Sequence, residues 1–207
     1  MVIAFVWLAL GILGLFGFGS LAKKKSAHSK NSKLSYQLIY QPLSLCMALL
    51  LWLANRITSE TKTNYLTLGN LTAKSSMLDW LGFDKNSSWL EIGTTFAIIP
   101  LIVTSIVVYF QVLKKKEWSF GKLGLALLVA IPLSITNALT EELIFRIIPI
   151  EGIALSPMVL AIVCAFAFGI PHYFGTPGKF IGVAMASFLG YVAACSVLET
   201  QGTGWAW

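Results

Sequence analysis

Six apolar segments, at about 2–22, 36–54, 94–113, 123–147, 157–176 and 179–198, dominate the sequence. A helix rises about 1.5 Å per residue, so about 20 mostly apolar residues cross the hydrocarbon core of a bilayer. A helix also satisfies its own backbone polar groups, which lipid cannot do. Each segment meets or nearly meets that length. The sequence therefore predicts an all-α polytopic transmembrane bundle of about six spans. Composition excludes a soluble core: 57% of the 207 residues are hydrophobic and 12% are charged, whereas soluble domains carry about 25% charged residues.

The charges give the bundle an orientation. Nine of the fifteen basic residues lie in two short stretches, Lys23, Lys24, Lys25, Lys30 and Lys33, then Lys114, Lys115, Lys116 and Lys122. Lysine-rich loops between apolar spans mark the cytoplasmic side. Loops 23–33 and 114–122 are then inside and the N-terminus outside, as in an integral protein of a bacterial plasma membrane. The net charge of +6 is thus explained without a nucleic-acid partner, which would call for aromatic residues interleaved with the basic ones. The long polar stretch at 55–93 faces outside, with Trp80 and Trp89 as interfacial anchors. Residues 1–118 read as an N-terminal group of helices with this extracytoplasmic loop, and 119–207 as the region that carries the chemistry.

Met1 to Ala22 lacks the basic start of a secretory signal and reads as a retained span. Cys46, Cys164 and Cys195 fall in three separate apolar segments, which suits neither a disulfide framework nor a thiol metal site. Gly182, Ala186, Gly190 and Ala194 recur every four residues, and Gly11, Gly14 and Gly17 every three. Small residues at that spacing let helix backbones approach closely.

The stretch Glu141-Glu142-Leu143-Ile144-Phe145-Arg146 is costly in such a setting. A charged side chain at bilayer depth costs about 2.5–3.5 kcal/mol on insertion scales, unless it pairs or lines a wet cavity. Residues four apart share a helix face, so Glu142 meets Arg146. Glu141 lies about 100° round the helix and is left without a local partner, as a candidate general base. His172 is the one histidine within a span, and His28 sits in a lysine-rich loop. Pro171 removes a backbone donor, so the helix kinks or ends there, which opens space for water at membrane depth. Spacing alone leaves three readings open: catalysis, a structural Glu142–Arg146 bridge, and proton or ion transport through Glu141, Glu142 and His172. Transport needs a continuous polar path, and the neighbouring spans offer only scattered hydroxyl and amide groups.

Glu141-Glu142-x-x-x-Arg146 followed by Phe168-Gly169-Ile170-Pro171-His172 resembles the first two motifs, E-E-x-x-x-R and F-x-x-x-H, of the CAAX-protease and bacteriocin-processing (CPBP, or Abi) intramembrane proteases. The resemblance runs from about Phe120 to Trp207. It implies a membrane endopeptidase acting on prenylated tails or leader peptides, or a bacteriocin-immunity protein. It implies that Glu141 activates the attacking water, that His172 positions it, and that Glu142, Arg146 and Phe168 support the site. No cofactor is expected. Zinc held by Glu141, Glu142 and His172 is the alternative, a thin donor set for a metal that usually takes three or four protein ligands.

The family carries a third motif, a histidine with asparagine or aspartate four residues later, on a later span. This sequence has no histidine after His172 and no asparagine after Asn137, and stops at Gly202-Thr203-Gly204-Trp205-Ala206-Trp207. The expectation is a region incomplete at its C-terminal end, whose last family span follows in a longer protein. A member without the oxyanion half, kept as a non-catalytic immunity or scaffold protein, is the alternative. One geometric tension accompanies the resemblance. Threaded linearly, Glu141 lies near the outer end of its span and His172 near the inner end of the next, about 10–15 Å apart in depth. They share a water only if the helices tilt or shift, or if 147–156 dips into the membrane.

Overall fold

The computed structural model describes residues 2–29, 31–59, 63–84, 86–111, 114, 120–174 and 178–206. Among the described residues there are seven α-helices: α1 (Val2–Ser26), α2 (Ser32–Thr58), α3 (Trp89–Gln111), α4 (Phe120–Glu142), α5 (Ile148–Gly152), α6 (Pro157–Gly169) and α7 (Lys179–Thr200). A π turn, Leu143–Ile147, joins α4 to α5, and a 3₁₀ turn, Ile170–Phe174, follows α6. The protein is an all-α membrane bundle.

Among the described residues, five helical stretches are long and apolar enough to cross a bilayer: Val2–Ser26, Ser32–Thr58, Gly124–Gly152, Pro157–Phe174 and Lys179–Thr200. The sequence suggested about six. The remaining segment is helical as α3, but among the described residues its apolar stretch is the shorter Trp89–Ile102. Residues 112–113 and 175–176 of the expected spans, with Lys30, Lys115 and Lys116, lie outside the described residues.

The fourth span differs most from expectation. It runs to Gly152 rather than stopping near residue 147. Pro149 explains the π turn within it: proline lacks an N–H and its ring clashes with the carbonyl four residues earlier. The preceding turn widens rather than breaks, and all five of its residues are buried. The segment past the π turn packs on α1 and α2. There Asn55 Nδ2 donates to the Ile148 carbonyl at 3.3 Å, Arg56 Nη1 meets Glu151 Oε1 at 3.3 Å, and Ser59 Oγ donates to the Glu151 carbonyl at 2.6 Å.

Small residues set the helix spacing. Gly182, Ala186, Gly190 and Ala194 are all buried on the face where α7 packs against α6. A Cβ on Gly190 would lie 3.1 Å from the Phe168 ring. In α1, a Cβ on Gly11 would lie 2.8 Å from Ile144, and one on Gly14 would collide with Met47. Gly17 differs from its expected role, since nothing lies within 4 Å of its Cβ position.

The polar stretch before α3 folds over one end of the bundle. Glu199, on the last turn of α7, accepts hydrogen bonds from Ser75 Oγ (3.0 Å), Ser76 N (2.6 Å), Ser76 Oγ (2.7 Å), Met77 N (3.0 Å) and Trp89 Nε1 (2.9 Å). Trp89 is therefore buried at 1% exposure and is no interfacial anchor; the aromatic body fills the core while its N–H needs an acceptor. Trp80 is exposed and packs edge-on against Tyr191. Residues 201–206 turn back onto the same cap, where Thr203 N donates to the Thr67 carbonyl at 2.8 Å and Trp205 Nε1 to the Leu71 carbonyl at 3.0 Å. Gly69, at φ +68°, is required there, because a Cβ would run into the Thr200 carbonyl and Gly202.

Glu199→Ala leaves several donors without their acceptor, at about 1–3 kcal/mol for each one shut away from water. The expected result is a clear fall in melting temperature in detergent, with a smaller fall for Glu199→Gln. An unchanged melting temperature for both would show that the cap does not depend on this carboxylate.

Candidate active site

Glu141 sits on the last turn of α4 and His172 in the 3₁₀ turn after α6; both are partly buried. Both line one cavity of about 810 Å³, together with Phe16 and Lys23 of α1, Tyr36 and Tyr40 of α2, Asn137 and Thr140 of α4, Phe145 and Phe174. The depth mismatch expected from linear threading shrinks because α4 continues through the π turn. About 16 Å of helix now separates Glu141 from Gly152, and about 22 Å separates Pro157 from His172, a difference of about 6 Å.

Pro171 ends the α-helix, as its missing donor requires: α6 stops at Gly169 and a 3₁₀ turn follows. His172 Nδ1 lies 2.8 Å from the Phe168 carbonyl. A carbonyl only accepts, so Nδ1 carries the proton and Nε2 keeps its lone pair. The imidazole also rests against the Phe168 ring, with centroids 4.7 Å apart. Phe168 is a common support. Its ring carries the Arg146 guanidinium at 4.1 Å and packs edge-on against Phe145 at 5.4 Å. A cation held on an aromatic face gains further attraction once it is out of water.

Arg146 Nη1 donates to Glu142 Oε1 at 3.0 Å, with both side chains 3% exposed. The pair is incompletely satisfied: Glu142 Oε2 and Arg146 Nε are buried with no hydrogen-bond partner among the described residues. Glu142, Arg146, Phe168 and Glu141 border a second cavity of about 410 Å³ between α3 and α7. Of the described residues lining the first cavity, only Glu141 also lines the second.

Glu141 is not left without a local partner. Asn137 Nδ2, one helical turn earlier, donates to Glu141 Oε1 at 2.8 Å. The i,i+4 spacing made this bond legible in the sequence, but a search for a charged neighbour passes over a neutral amide. Among the described residues no group of three histidine, cysteine, aspartate or glutamate side chains converges to hold a metal ion. The set Glu141, Glu142 and His172 fits zinc poorly for a visible reason: Glu142 is held by Arg146 on a different face from Glu141. His28 is exposed in the turn after α1, away from both cavities.

Fold and site together define an integral membrane protein whose buried ionisable groups gather where α4 meets the π turn and the end of α6. Residues 123–207 match the family model of the type II CAAX prenyl endopeptidases, Rce1-like, the kind of family that the two motifs resemble. The match leaves α1, α2 and α3 outside it. No curated protein and no solved structure matches the chain.

Proposed function

We propose that the protein is an intramembrane endopeptidase of CAAX-protease type in which Glu141 activates a water molecule for attack on a peptide bond. The observation that carries this reading is the cavity that Glu141 and His172 line together. Its lining combines the apolar rings of Phe16, Phe145 and Phe174 with the polar side chains of Asn137, Glu141 and His172.

The chemistry follows from the groups present. A water between the two side chains gives a proton to the Glu141 carboxylate while its oxygen attacks the peptide carbonyl carbon. His172 Nε2, with its lone pair free, accepts the water's other O–H and holds the oxygen in line. When the C–N bond breaks, the proton on Glu141 passes to the leaving amine. General acid–base assistance of this kind is worth about 10²–10⁴ in rate. Glu142, Arg146 and Phe168 act beneath the site, fixing the helix and the imidazole without touching the substrate. No metal and no cofactor enters this mechanism.

The apolar walls favour a membrane-associated peptide that carries a prenyl group or apolar side chains. Lys23 lines the same cavity, at the end of α1 where the lysines cluster. By the positive-inside rule that end is cytoplasmic, so the substrate reaches the site from the cytoplasmic face. The direct test compares wild type, Glu141→Ala and His172→Ala in a peptide-cleavage assay in lipid vesicles. Cleavage by the wild type alone is expected, and equal cleavage by all three would sink the assignment.

A second reading has one observation in its favour. Glu141 borders both cavities, as a carboxylate in a proton path would. A pH-sensitive dye trapped in the vesicles separates the two: transport requires proton flux that Glu141→Ala abolishes, without any peptide being cut.

A further inference from the structure

Three side-chain amides form a chain that ends on Glu141. Gln41 of α2 donates through Nε2 to Gln37 Oε1 at 3.0 Å, one turn earlier, and to Asn137 Oδ1 at 3.1 Å, across the helix interface. Asn137 in turn donates through Nδ2 to Glu141 Oε1 at 2.8 Å. Gln41 is buried at 6% exposure.

The polarity of this chain is fixed by its last member, because a carboxylate only accepts. An asparagine side chain has nearly the same shape whichever way its amide is turned. Turned one way it offers Glu141 a donor; turned the other, it sets a carbonyl oxygen against a carboxylate. Glu141 decides, and Gln41 holds the amide in that sense by donating through Nε2 to Asn137 Oδ1. Asn137 must then aim its NH₂ at Glu141. A hydrogen bond from a neutral donor to a charged acceptor is a strong one. It engages one carboxylate oxygen and leaves Oε2 as the one with no hydrogen bond from the described residues.

We infer that Asn137, kept in that orientation by Gln41 from α2, is a positioning residue for Glu141: it fixes the carboxylate so that one oxygen is held and the other is presented to the cavity. This inference rests on Glu141 being the general base. It extends the site to a helix outside the matched region, since Gln37 and Gln41 precede residue 123. An amide pair between helices can also be simple packing glue, so the test must read something packing would not change.

The experiment measures cleavage of a fluorogenic membrane peptide in vesicles by wild type, Glu141→Ala, Asn137→Leu, Gln41→Leu and the Asn137→Leu/Gln41→Leu double variant, with melting temperature recorded for each. Leucine keeps the approximate shape of asparagine without the donor. Asn137→Leu is expected to lower kcat by about 10–100-fold, the worth of one charge-assisted bond, with KM little changed. Gln41→Leu is expected to lower kcat by a smaller factor, and to add nothing in the Asn137→Leu background, because it acts through Asn137. Should Asn137→Leu fail to fold, Asn137→Asp keeps the shape and the acceptor for Gln41 but loses the donor, and is expected to be equally slow. Wild-type kcat in Asn137→Leu or Asn137→Asp, with Glu141→Ala inactive, overturns the inference and leaves the general base standing. Effects of Gln41 and Asn137 that simply multiply overturn the part played by Gln41. An inactive wild type, or cleavage by Glu141→Ala at the wild-type rate, removes the reading beneath it.

Discussion

Glu141→Gln is expected to lower kcat for peptide cleavage by about 10²–10⁴ while the protein folds and melts as the wild type does. Glutamine has the length and shape of glutamate, and its carbonyl oxygen can still accept from Asn137 Nδ2, so the local hydrogen bond survives. What is lost is the capacity to take a proton from water. The side chain is partly buried at the cavity surface rather than in the core, so removing its charge leaves no buried cation unpaired; Arg146 keeps Glu142. The measurement is turnover of a membrane peptide beside a melting curve for the same preparation. Retained turnover would show that Glu141 does not supply the base, however well it is placed.

Arg146→Leu is expected to be among the most destabilising single changes in the chain, at about 3–5 kcal/mol, and the Glu142→Leu/Arg146→Leu double variant much less so. The reason is the asymmetry of a buried ion pair. Glu142 and Arg146 are 2% and 3% exposed, so removing one leaves an uncompensated charge with no water to take its place. Removing both leaves an apolar surface among Leu143, Ile144 and Phe145, which are themselves buried. The pair's hydrogen bonding is incomplete at Glu142 Oε2 and Arg146 Nε, which limits what the intact pair contributes over an apolar replacement. Arg146 also packs on Phe168, so the double variant should not regain everything. Thermal melts of the two single variants and the double variant give the coupling directly. Two stable single variants, or a double variant worse than the two losses combined, would contradict this account.

What the sequence reveals here is what depends on near neighbours. The spans follow from runs of apolar residues, the Glu142–Arg146 pair from i,i+4 spacing, and the end of α6 from Pro171. The bond from Asn137 to Glu141 has the same spacing and was equally legible. The features that were not legible join residues far apart in the chain. Glu151 lies beyond the end expected for its span, near residue 147, yet it is buried and meets Arg56, 95 residues earlier. Trp89 reads as an interfacial anchor, yet its N–H belongs to Glu199, 110 residues later. Gln41 carries no mark that singles it out among the polar residues of α2, and its role exists only because α2 lies beside α4. The site motifs were visible; the scaffold that orients them was not.

The π turn allows one helix to serve two masters that are out of phase. Before it, α4 must show Glu141 to the cavity and Asn137 to Gln41. After it, Ile148 and Glu151 must face Asn55 and Arg56. An unbroken α-helix advances about 100° per residue and would meet one of these demands at the expense of the other. The extra residue in the wide turn resets the angle between them. Deleting any one residue from Leu143–Ile147 would restore regular geometry and keep both sets of partners in phase, whereas an added residue would swing one set away from its neighbours by about that angle.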